Sequence, residues 1–110
     1  MLYKPYIPKD FGELMDHLAH MLFAAPKFNT RLLPRENIDT TFCSLNEGLL
    51  AVRKKLGEER YTALKALSDK MRALFEADPD DKTGDTQAGR EIIHEMEGIL
   101  KSAAKRRGPD

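Results

Sequence analysis

The pattern that most restricts this chain is Ile38, Phe42, Leu45, Leu49, Val52 and Leu56, apolar residues at intervals of 4, 3, 4, 3 and 4. Spacing that averages half of seven keeps them on one side of an α-helix. A seam of this kind needs a partner helix crossing at about 20° to cover it. The positions predict one helix over 37–56. Arg53, Lys54 and Lys55 offset the negative end of its dipole, and Gly57 stands where a left-handed cap closes a helix.

The same periodicity recurs on both sides. Asp10 reads as an N-cap with Glu13 three residues on, an acidic variant of the capping box. Phe11, Leu14, Met15, Leu18, Leu22 and Ala25 then carry a helix over 10–25 to its stop at Pro26. Glu58 and Glu59 open a helix over 58–77 with Tyr61, Leu64, Leu67, Met71, Leu74 and Phe75 as its apolar positions. So short a connection after Leu56 implies an antiparallel hairpin. Asp85 reads as the cap of a last helix over 86–105, whose seam is Ala88, Ile92, Met96, Ile99 and Ala103. Residues 1–9, with Pro5 and Pro8, form an extended arm, and 106–110 a frayed tail. The chain has one Val and no period-two alternation, which leaves no segment for a strand. The expected architecture is one all-α domain over 1–110, an antiparallel four-helix bundle with an extended N-terminal arm.

Composition narrows the function classes. The 110 residues are 41% hydrophobic and carry 18 basic against 18 acidic groups, so the chain as a whole exerts no general pull on phosphates, and nucleic acid is not the expected partner. The balance hides an asymmetry: 57–100 sums to −5, while 1–56 sums to +2 and 101–110 to +3. One cysteine, Cys43, forms no internal disulfide, which fits a reducing cytoplasm; it reads as a half-buried thiol acting as a small apolar residue. The longest apolar run, Leu18–Ala25, is broken by His20 and far shorter than the roughly 20 residues a membrane span needs, so neither a leader nor an anchor is expected.

The residues able to carry chemistry are few. On the first helix Glu13, Asp16, His17 and His20 place acid and imidazole at i, i+4, a spacing that can chelate a divalent ion, although the face they share reads as the solvated one. On the last helix Glu91 and His94 form a Glu-x-x-His pair, half of what a carboxylate-bridged di-metal bundle requires. The other half is missing. The candidate metal ligands are therefore Asp16, His17, His20, Glu91 and His94, with no cofactor implied. Asp78, Asp80, Asp81 and Asp85 resemble a calcium loop but set Lys82 at a ligand position, and they read as a solvated connection. Lys101, Lys105, Arg106 and Arg107 suit the end of a helix dipole. No Gly-rich phosphate loop, Cys-x-x-Cys or nucleophile elbow is present.

Apolar surplus points to association. Leu2, Tyr3, Tyr6 and Ile7 of the arm, and Met21, Phe23, Leu32, Leu33, Leu50 and Leu100 outside the seams, exceed what four helices readily bury. Leu2, Tyr3, Tyr6, Ile7 and Phe23 are the candidate interface, with a second copy or another protein as partner. The sharper form is an immunity- or antitoxin-like protein whose acidic helices mask a basic partner. The alternative is a metal-binding protein or metal-dependent enzyme built on the helix-borne His and carboxylates.

Overall fold

The computed structural model describes residues 6–30 and 34–106, which form five helices with no strand among them. Leu2, Tyr3, Leu32 and Leu33 lie outside the described residues, as does the tail beyond 106. Helix α1 spans Phe11–Ala24, and Asp10, in extended conformation, accepts the Glu13 N–H at 2.8 Å as its N-cap. The reciprocal half of the box differs from expectation: the Glu13 carboxylate accepts the N–H of Lys9 at 2.7 Å, one residue ahead of the cap. Glu13 thus holds the arm rather than closing the helix end.

The helix expected over 37–56 is two. Asn37 and Thr40 form a complete capping box at the start of α2, Ile38–Ala51. At Val52 the backbone leaves helical values, its N–H shared between the carbonyl oxygens of Gly48 and Leu49 at 3.3 and 3.2 Å, and a short α3 follows over Arg53–Leu56. The seam survives the break, with Phe42, Leu45, Leu49, Val52 and Leu56 all buried. The turn places Arg53 against Glu58, with bonds of 2.7 and 2.5 Å, and 4.4 Å above the Tyr61 ring. Gly57 is not the left-handed helical cap: at φ 83° and ψ 156° it occupies a region open essentially to glycine alone.

Helix α4, Glu58–Ala77, matches the bounds read from its sequence. Helix α5 spans Asp85–Arg106 and begins one residue early because Asp85 does not cap it. The Thr83 hydroxyl accepts the Asp85 N–H, and the Asp78 carboxylate, eight residues back, accepts the N–H of Thr86 at 3.0 Å. The connection expected to be solvated is therefore corrected at Asp78, which is buried.

Helix α1 packs on α2 and α5, and α4 packs on the same two, so the four long helices form a closed cycle of neighbours. Leu14, Leu18, Leu45, Leu64, Met71, Ile93 and Met96 are wholly buried between them. Met21 and Leu100, counted above as surplus surface, belong to this core, because each falls on an inward turn of its helix. Phe28, Phe42 and Phe75 meet edge to face or tilted, with centroids 5.3 to 6.4 Å apart. Phe28 comes from the segment after α1 and holds φ 67°, a costly value for an aromatic residue that complete burial of its ring offsets. Gly89 faces the same cluster, where a Cβ atom would stand 2.5 Å from the Phe75 ring. Cys43 is exposed rather than half-buried, one position off the seam on the outer side of α2. No helix among the described residues is long and apolar enough to cross a membrane.

Candidate binding pocket

Glu13, Asp16, His17 and His20 occupy successive turns of α1, so their side chains share one stripe of that helix. Only part of the stripe is as open to solvent as its polarity suggests: Asp16 is exposed, while Glu13, His17 and His20 are partly buried. The stripe turns toward the start of α2, and Glu36 and Ser44 complete a cavity of about 470 Å³ with Tyr6 of the arm. His17 is drawn inward because it lies three residues after Leu14 and four before Met21, both wholly buried. The expectation of solvated histidines is corrected: His17 and His20 are each partly buried.

Thr41 joins the two sides. Its carbonyl oxygen lies 3.0 Å from His17 Nε2, and because a carbonyl only accepts, that nitrogen carries the proton and Nδ1 the lone pair of the neutral ring. Burial pushes the His17 pKa below its ordinary value, and His20 adds to this, against the opposing pull of the Thr41 carbonyl and Glu36. The Thr41 hydroxyl donates to Glu36 Oε1 across a long 3.5 Å.

Two buried atoms of residues that line the pocket stand out. Glu36 is only 7% exposed, yet its Oε2 has no hydrogen-bond partner, and the buried Nε2 of His20 has none either. Buried polar atoms without partners are rare, since each carries a desolvation cost of about 1–3 kcal/mol. The lining residues among those described include three carboxylates, two imidazoles and a phenol, with no Lys or Arg among them.

The arm shapes the mouth. Pro8 is buried against Gly48, where a Cβ atom would approach its ring to 3.1 Å, so the arm lies close on α2. The Glu13 carboxylate beside it raises the pKa of the Tyr6 hydroxyl, and the Tyr6 ring lines the cavity.

Of the sequence candidates, Asp16, His17 and His20 come together here, while Glu91 and His94 do not join them. Both are exposed on α5, and His94 Nδ1 lies 3.1 Å from Glu97. Among the described residues no group of three or more His, Cys, Asp or Glu side chains could hold a metal ion. Glu36, Thr41 and Ser44 escaped the sequence reading; the one available signal was the position of Glu36 just ahead of the Asn37–Thr40 box. Of the interface candidates, Phe23 is 89% exposed and Tyr6 62%, Ile7 is half-buried, and Leu2 and Tyr3 lie outside the described residues. Leu50, also named as surplus, is 48% exposed. A second cavity of about 690 Å³ lies where Leu56–Arg60 meet Gly98, Ile99 and Ser102 of α5. No protein family matches the chain, and neither does any curated protein or solved structure.

Proposed function

We propose that this chain is a non-enzymatic binding protein that associates with another protein, a second copy or a different chain, through the outer stripe of α1. Phe23 carries the reading. A phenylalanine 89% exposed on the last turn of a helix leaves a large apolar ring in water, and aromatic residues of this kind anchor protein interfaces. Asp16, His20 and Phe23 follow one another at steps of four and three, so the ring continues the stripe that lines the pocket, and Tyr6 stands toward the stripe's other end.

The scaffold we assign to this role is one antiparallel four-helix bundle over 1–110 with an extended arm. The closed cycle of helix contacts and the one-residue connection at Gly57 support it. An exposed single cysteine, Cys43, suits a cytoplasmic setting. The charge of −5 over 57–100 favours a basic partner, of which an immunity- or antitoxin-like masking role is the sharper form.

Light scattering on the full chain tests the reading, alone and with any co-purifying protein, beside Phe23→Glu. The expected result is a dimer or stable complex that Phe23→Glu dissociates while the helical circular dichroism is unchanged. A chain that stays monomeric without a partner, or a complex indifferent to Phe23→Glu, overturns it.

A further inference from the structure

We infer that the pocket between α1 and the start of α2 receives a primary ammonium group, supplied by a lysine side chain of the partner. This deepens the association reading and rests on it. The carboxylate of Glu36 is more than nine-tenths buried with one oxygen bare and the other held only by a 3.5 Å hydroxyl contact. A buried carboxylate in that state calls for a charged donor, because no described residue fills the lone pairs of Oε2. The residues around it add polar groups: the Asp16 carboxylate and the imidazoles of His17 and His20, the latter with the second unpaired buried atom, Nε2. No basic side chain among the described residues lines the cavity to compete.

The choice of ammonium follows from how the acceptors are arranged. A guanidinium is a planar fork best matched by both oxygens of one carboxylate, and one Glu36 oxygen is already engaged by Thr41. An ammonium has three donors on a single atom and suits separate acceptors on different side chains. A divalent metal needs three or more ligating side chains about one point, and no such group occurs among the described residues; an ammonium asks only for the bare Glu36 oxygen and one neighbouring acceptor. The Tyr6 ring at the edge provides an aromatic surface for the methylene stem of a lysine, and a cavity of about 470 Å³ has room for the whole side chain.

The test titrates the full chain with n-butylammonium, with a capped lysine peptide, with the same peptide carrying norleucine, and with zinc. His17 and His20 ring resonances and calorimetry are the readouts. Expected are saturation by both amines, no response to norleucine, and affinity lowered roughly tenfold or more by Glu36→Gln at unchanged circular dichroism. Nitrogen shifts of the His20 ring should report an Nε2 that accepts. Equal binding by norleucine or by Glu36→Gln, or a response to zinc alone, overturns the inference. Saturation by butylammonium but not by the lysine peptide assigns the site to a free amine and overturns the partner form. Phe23→Glu separates the two readings: it should abolish association and leave amine binding intact, so loss of either can be seen without the other.

Discussion

Two buried carboxylates face opposite fates in this molecule. Asp78 is 2% exposed, and every approach to it is filled: Oδ1 accepts the N–H groups of Lys82 and Thr83 at 2.7 and 3.1 Å, and Oδ2 accepts that of Thr86 at 3.0 Å. The Thr86 hydroxyl closes the knot by donating to the Asp78 carbonyl at 2.9 Å. Glu36 is almost as deeply placed but has one long hydroxyl contact and a bare oxygen. The difference lies in what surrounds the group rather than in burial itself. Where backbone amides converge, as they do beside the first turn of α5, a carboxylate becomes part of the fold. Where helix side chains alone form the wall, its binding capacity is left over.

The contrast can be broken most severely at Asp78. Asp78→Ala removes the acceptor for three backbone donors, and thermal melting should shift down by about 10 °C or more, the largest effect among these variants. Acid should find the same residue. Burial by itself raises the Asp78 pKa, but the hydrogen bonds from Thr86, Lys82 and Thr83 outweigh it and hold the folded value far below the usual carboxylate range. Its stabilisation is complete above the unfolded value of about 3.9 and is lost as pH falls below that toward the folded value. Urea titrations through this window should show a slope that Asp78→Ala lacks.

Gly89→Ala sharpens the comparison from the packing side, since the tight corner that surrounds Asp78 extends to the Phe75 ring. Adding a methyl group 2.5 Å from that ring should cost about 1–3 kcal/mol by chemical denaturation, despite the better helix propensity of alanine. On the pocket side the effects shrink. His17 has a lowered folded pKa, caused first by its burial, so the unfolded chain binds the extra proton first. Stability should be full above about pH 6.5 and decline as pH falls through the interval down to the folded value, a dependence that His17→Gln should flatten. Glu36→Gln comes last: exchanging an unpaired buried charge for a neutral isostere should change stability by no more than about 1 kcal/mol, toward gain. A loss as large as that of Asp78→Ala would show that Glu36 has a structural role after all.

Much of the framework was legible because periodicity reports burial directly. Helix α4 begins and ends where its charges and Pro79 place it, and the seam from Ile38 to Leu56 marks an inward face even though Val52 interrupts the helix. What was not legible depends on contacts between distant positions. Phe28 sits in a stretch that reads as loop, and only Phe42 and Phe75, from two other elements, make it core. Asp78 reads as solvated because its partners lie up to eight residues on, past a proline and a glycine. The acid and imidazole residues of α1 were recognisable as a group. The exposure of His17 and His20 differs from that reading because Glu36 and Ser44 line a cavity with them, and Glu36 carries no periodic signal that would announce it.

The arm has a kinetic consequence. Lys9 is tied to α1 through one side chain, Glu13, which also stands beside Tyr6 and is only partly buried. Releasing that bond loosens the arm that carries Tyr6 without parting any helix from its neighbours, so entry should follow segment motion on the nanosecond-to-microsecond scale rather than the far slower rate of global unfolding. Carboxylate chemistry at position 13 then governs how quickly the pocket is reached, and position 36 how long an occupant stays.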